Sequence, residues 1–204
     1  MTRQMKKIIM LLGCLCLLPF AACAASKPEA RFEAFRAALA DAAVSVTAEV
    51  TARDGQFVTD FTLRCTETDG GYTVEVLAPE TLSGVTAHIA QGETQLQFDD
   101  LILPMPQAED TLSPLMALPK VLEAARDGHL DLVWEEDGLV AQLIPDDTLA
   151  VRLCLNEENT PVSAEVDADG RTCVFCAITA WSTETRETNE PNDTNLGGDQ
   201  PGRD

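Results

Sequence analysis

Two histidines, one Cys-x-x-Cys spacing and several paired carboxylates are the residues of this chain whose types could do chemistry. His88 falls at a strand position beside Thr86 and Ala90, and His129 follows Gly128 at the end of a helical pattern, where positive charge is favourable. They are far apart in sequence, neither belongs to a metal-ligand spacing, and no nucleophile stands near them. Cys173-Val-Phe-Cys176 has the spacing of a redox or zinc motif, but those motifs sit at a helix start or a tight knuckle. In a regular strand over 171–180 the two thiols point to opposite faces and are not bonded to each other, so free or structural thiols are expected. With Cys65 and Cys154 they make four cysteines in the main body of the chain, a number that leaves three pairings open.

The acidic groups Asp99-Asp100, Glu135-Glu136-Asp137 and Asp146-Asp147 coincide with strand ends and turns, where solvation accounts for them. Asp167-Ala-Asp-Gly170 opens like a calcium loop but lacks the twelve-residue ligand series ending in glutamate, so a hairpin turn is expected. A glycosidase-type carboxylate pair is defined by separation in space, and nothing in the sequence selects one. There is no phosphate-binding glycine loop and no nucleophile elbow. No catalytic residue, no metal site and no cofactor is therefore expected.

The elements that would position a site are legible from periodicity. Ser26 to Glu29 has capping-box spacing, and Phe32, Phe35, Leu39 and Ala42 follow at helical intervals, predicting a helix to about residue 43. From Val44 the period becomes two, and similar segments recur at 57–66, 72–78, 85–91 and 94–98 between Asp-Gly and Gly-Gly turns. Pro104, Pro106, Pro114 and Pro119 interrupt this pattern and predict a loop, then a helix over 120–127 closed by Gly128. Strands resume at 130–136, 139–144, 149–155, 162–168 and 171–180. The expected fold class is α+β, mostly β: a curved antiparallel sheet of about ten strands, a half-barrel, capped by the N-terminal helix and the central helical insert.

The flanks read differently. Arg3, Lys6 and Lys7 precede the apolar run from Ile8 to Phe20 and the small-residue exit Ala21-Ala22-Cys23-Ala24-Ala25, an export signal too short to span a bilayer. Phe20-Ala21-Ala22-Cys23 resembles the lipobox of bacterial lipoproteins, with Phe20 where Leu is usual; plain cleavage after Ala24 is the alternative. The resemblance implies lipidation of Cys23 and an anchor on the extracytoplasmic face of the cell membrane. The expected organisation is a signal peptide over 1–22, the lipidated cysteine and a linker over 23–27, one domain over 28–181 and a disordered acidic tail over 182–204. With 34 Asp and Glu against 14 Lys and Arg, the chain carries −20 formal charges. Nucleic acid and anionic lipid surfaces would repel it, whereas a basic protein or a neutral ligand would not.

The segment 72–86, a strand, a Pro-Glu-x-Leu-x-Gly turn and a second strand, continues through Gly92 to Phe98 and the edge Asp99-Asp100-Leu101. In this it resembles the LolA-like lipoprotein-carrier superfamily, nearest to the spore-germination and sorting-protein-like lipoproteins of clostridia. The resemblance implies a half-barrel with an apolar cavity, holding an acyl chain or a lipoprotein. For the germination branch it implies instead an adaptor that assists a cell-wall amidase through the outer surface. Strand alternation and the helix stripes nominate the cavity candidates: Phe32, Phe35, Phe61, Leu63, Tyr72, Val74, Val76, Leu96, Phe98, Leu118, Leu122 and Leu132 or Trp134. Three readings compete: a tethered binding protein, an adaptor for an envelope enzyme, and a hydrolase using an unseen carboxylate pair.

Overall fold

A computed structural model describes residues 28–105, 112–169 and 171–186. The expected signal, Cys23, the capping serine Ser26 and the tail beyond Arg186 lie outside the described residues.

The chain opens with helix α1 (Pro28–Ala40), which buries Phe32, Phe35 and Leu39 on one stripe. It ends three residues earlier than the periodicity predicts, because Ala42 already pairs with Thr185 in the sheet. Strands β1 (Ala42–Asp54), β2 (Phe57–Thr68), β3 (Gly71–Ala78), β4 (Thr86–Ala90), β5 (Glu93–Phe98) and β6 (Leu101–Met105) follow as successive hairpins. A short 3-10 turn at Glu80–Leu82 joins β3 to β4. A second at Pro114–Met116 leads into helix α2 (Ala117–Asp127), after which come β7 (His129–Glu135), β8 (Leu139–Ile144), β9 (Leu149–Leu155), β10 (Pro161–Ala168) and β11 (Arg171–Thr185).

All eleven strands form one antiparallel sheet in the order β6-β5-β4-β3-β2-β1-β11-β10-β9-β8-β7. The first and last strands in sequence, β1 and β11, are neighbours at its centre, and β6 and β7 are its unpaired edges. The sheet is an open half-barrel, mostly β with two helices on its concave face, as the sequence predicts. Turn residues adopt the conformations their types favour: Asp99 and Asp137 take positive φ, and Gly138 lies at φ 139°. A Cβ on Gly138 would meet the Leu155 carbonyl at 2.1 Å, so this turn requires glycine.

Three expectations need correction. There are eleven strands rather than ten, because Leu101–Met105 is a strand and not the start of the Pro-rich loop. Pro104 is accommodated because β6 is an edge, where one side of the backbone needs no ladder bond. Helix α2 starts at Ala117, so Pro119 stands at its third position, still among the donors that have no partner within a helix. Strand β11 continues to Thr185, so residues 182–185, expected in the tail, are paired with β1 from Ala42 to Ser45. Polar Ser182 and Thr183 hide this from a reading of apolar alternation.

The helices are tied to the sheet and to each other by arginines. Arg36 donates to the carbonyls of Ala125 and Gly128 at 3.1 and 2.8 Å, satisfying the end of α2, and its guanidinium lies 5.0 Å from the Phe32 ring centre. Arg31 bridges Glu135 and the Asn159 side chain, both at 2.9 Å, across β7 and the β9–β10 turn.

Candidate binding site

The two helices cover only part of the concave face. Helix α1 packs on β1, β7 and β8, and α2 packs on β8 to β11. Registers across the other half trace one row of side chains from core to edge: Val46, Cys65, Val74, Ala87, Leu96 and Leu103 on β1 to β6. The first four are buried, Leu96 is half-buried, and Leu103 is 50 % exposed. Cover fades along the row: the lead-in to α2 meets β5 at Thr94, which lies 4.0 Å from the Met116 sulfur, and Leu101, Ile102 and Leu103 of β6 beyond it are exposed.

At the end of the sheet holding the β3–β4 and β5–β6 turns, the same face exposes Phe98 by 49 % and Leu101 by 56 %. These two are paired across the turn, and Gly84 lies so that its Cβ would sit 3.9 Å from the Phe98 ring. Leu82 on the β3–β4 turn and Phe57 at the start of β2, which shares the face of Phe61, are exposed as well. Full burial of one such side chain is worth roughly 1.5–3 kcal/mol, so half-exposed ones leave about half of that unrealised on folding. Phe57 stands apart, beyond the end of β3, whereas Phe98, Leu101 and Leu103 on the paired strands β5 and β6 form an apolar strip of the kind that marks an interaction surface.

The opposite end of the concave face is polar and closed by charge. Glu67 on β2 shares its face with Val44 and Tyr72, and its side chain is only 8 % exposed. It accepts hydrogen bonds from Arg126, one of them at 2.6 Å, from Arg186, and from the Val44 amide at 3.2 Å. Burial alone would raise the Glu67 carboxyl; the Arg126 guanidinium, with help from Val44 and Arg186, holds it below its usual range. Arg126 also donates to the carbonyls of Leu39 and Ala42 at 3.3 and 2.7 Å, pinning α2 to the junction of α1 and β1. A cavity of about 350 Å³ between Glu67, Asp69, Tyr72 and Arg186 adjoins this cluster. The Glu67 carboxylate is saturated by donors, so this cluster locks the fold rather than offering Glu67 as an acid or base.

Other candidate groups are equally committed. Burial pushes the Cys65 and Cys176 thiols up to about 12, far from the thiolate a nucleophile needs. None of Cys65, Cys154, Cys173 and Cys176 is in a disulfide, and Cys173 donates to the Val166 carbonyl at 3.2 Å. Burial pushes the Tyr72 hydroxyl up to about 12 as well. His88 is exposed between Thr73 and Gln97. Asp146 accepts from the Thr148 hydroxyl and the Thr148 and Leu149 amides, an ordinary turn role. Among the described residues no cluster of His, Cys, Asp or Glu is arranged to hold a metal, and no helix is long and apolar enough to cross a membrane.

The residues nominated from alternation divide into three groups. Phe32, Phe35, Leu63, Val74, Val76, Leu118 and Leu122 are buried together under the helices. Phe61, Tyr72 and Leu96 are half-buried at its margin, and Phe98 is exposed on the strip. Trp134 pairs with Val140 on the convex face and donates to Glu136 at 3.1 Å, so it is separated from the rest by the sheet, and Leu132 on the same strand is exposed. Sequence reasoning missed Leu101 and Leu103, because Pro104 argued against a strand; the signal available was the Asp99-Asp100 turn just before them.

No family model matches the chain, and no curated protein matches it in sequence. Several solved structures align with most of its length at low identity. A LolA superfamily protein from Nitrosomonas europaea is 10 % identical, with 80 % of this chain and 96 % of that chain covered, at a TM-score of 0.42. A putative outer membrane lipoprotein-sorting protein domain from Vibrio parahaemolyticus is also 10 % identical, with 78 % and 93 % covered, at 0.40. A chain in the structure of the CwlD amidase from Clostridioides difficile with the GerS lipoprotein is 18 % identical, with 79 % and 94 % covered, at 0.33.

Proposed function

We propose that this protein is a non-enzymatic, membrane-anchored extracytoplasmic lipoprotein that binds an acyl chain or an acylated protein on the bare half of its concave face. The observation that carries this reading is the strip of Phe98, Leu101 and Leu103, half exposed on a sheet face whose other half is sealed by helices. An alkyl chain laid along it would bury apolar surface at about 25 cal/mol per Å² without needing a polar partner. The interior under the helices is packed with side chains, so the ligand lies at the margin lined by Phe61 and Leu96 rather than beneath α1 and α2. Saturation of Glu67 and burial of the thiols favour binding over catalysis. Cys23 supplies the anchor in this reading.

Native mass spectrometry of the full chain carrying Cys23→Ser, isolated without detergent from a bacterial envelope fraction, tests it. Removing the covalent lipid means that any acyl species found is a ligand. A bound acyl species that is absent from a Phe98→Asp, Leu101→Asp double variant supports the reading. An empty protein in both forms refutes it.

A second reading, an adaptor for a cell-wall amidase, is favoured by the convex face. There Leu132 and Phe175 are exposed at the two ends of a row that holds the Arg152–Glu165 ion pair. In that case Phe175→Asp abolishes co-purification with the amidase, and the strip variant leaves it unchanged.

A further inference from the structure

Charge is distributed unevenly around the strip. From Cys65 to Pro119 the sequence contains nine Asp and Glu and not one Lys or Arg. Of these acids, Glu67 is consumed by Arg126 and Arg186, and Glu75 pairs with Arg64. Glu80, Glu93, Asp99 and Asp100 are in no ion pair among the described residues. Two of them, Asp99 and Asp100, form the turn between Phe98 and Leu101, and Glu80 lies on the short turn that carries Leu82. The apolar strip is thus bordered by uncompensated negative charge at its open end. It occupies the edge strands β5 and β6 and the β3–β4 turn beside them, inward of which Val76 and Leu63 are buried.

We propose that the occupant of this strip is a polypeptide segment with an apolar ridge flanked by lysine or arginine. The inference rests on the binding role given to the strip above and names the class of partner. An anionic lipid headgroup would be repelled by Asp99 and Asp100, and a neutral alkyl chain would leave them unused; a cationic amphipathic segment satisfies both features at once. Charge complementarity of this kind sets partner choice and encounter rate more than affinity.

The test uses the full chain and three fluorescent probes: an 18-residue peptide with a leucine ridge and lysines elsewhere, its twin with glutamates in place of lysines, and an uncharged acyl ester. The lysine peptide is expected to bind at least tenfold more tightly than its twin at 150 mM salt. Asp99→Asn with Asp100→Asn should weaken it roughly fivefold, a size set by two rim charges within a Debye length of the peptide. Asparagine tolerates the positive φ at position 99, so the turn survives. Leu101→Ser with Leu103→Ser should weaken both the lysine peptide and the ester. Glu157→Gln with Glu158→Gln, the same charge change on the distant β9–β10 turn, should alter nothing. Equal losses from the two charge pairs would mean bulk attraction to an acidic protein and would overturn the inference. So would a glutamate twin that binds as well. If the ester binds the strip but the lysine peptide is not preferred, only the partner class is wrong; if no probe responds to the leucine pair, the strip itself is not a binding site.

Discussion

Leu122 and Leu103 face the same concave space, yet the first is sealed between α2 and the sheet and the second is half exposed at the sheet's edge. The strands beneath them are similar in kind, with alternating apolar residues and tight polar turns. What differs is cover: the helices pack mainly on β1 and β7 to β11, the lead-in to α2 meets β5 only at Thr94, and the described residues of the edge β6 are largely exposed. The edges differ in the same sense. At β7 the ladder is broken by a register shift between Leu130 and Leu132, and Arg31 of α1 reaches Glu135, whereas β6 presents Leu101, Ile102 and Leu103 on both of its faces. Shifts and charges of the β7 type are what protect sheet edges from unwanted pairing. One half of the molecule therefore carries most of the packed core, and the other leaves apolar surface exposed.

Substitutions in the two halves should separate these roles. Leu122→Ala, which opens a cavity in the covered half, is expected to lower unfolding free energy by about 3 kcal/mol. Leu103→Ala at the bare edge should cost less than about 1 kcal/mol, because half of its surface is already in water. Urea unfolding of both variants reads the contrast, and equal losses would erase it.

Arg126→Met should come next, at about 2–3 kcal/mol, since it leaves the Glu67 carboxylate to Arg186 and the Val44 amide and removes the side-chain bonds to the carbonyls of Leu39 and Ala42. The pair also dictates a pH dependence. Because the folded-state pKa of Glu67 is depressed below its ordinary value, the pair stabilises fully above that value and the contribution is lost as pH falls through the folded pKa. Urea midpoints at pH 7 and pH 3 should therefore converge more closely in Glu67→Gln than in the native chain.

Thiol labelling gives a smaller and more local signature. Because burial raises Cys65 and Cys176 to about 12, a thiol reagent at pH 8 should leave both unmodified until the protein unfolds. The smallest effect is expected for Ile102→Lys, an exposed edge position on the convex side, which should change stability by no more than about 0.5 kcal/mol.

Much of this contrast was legible in the sequence where a local rule carried it. Alternation and Asp-Gly turns located β8 and β9 to the residue, and the stripe of Phe32, Phe35 and Leu39 marked the buried face of α1. Where tertiary context decides, the sequence was mute. Pro104 reads as a strand breaker until β6 is known to be an edge, and Ser182 to Thr185 read as tail until β1 is known to lie beside them. The site was harder still. Leu63 and Leu96 have the same period and side-chain type, and only the reach of the helices makes one core and the other margin. Trp134 fell on the convex face because the register shift near Asp131 resets the alternation along β7.

Whether the uncovered concave strip or the convex surface binds is decided by titrating an uncharged fluorescent acyl ester into three proteins. These are the native chain, the Phe98→Asp, Leu101→Asp variant and the Phe175→Asp variant. At least tenfold weaker binding is expected for the strip variant, and native affinity for Phe175→Asp. Native affinity in the strip variant, with loss in Phe175→Asp, would contradict binding at the strip.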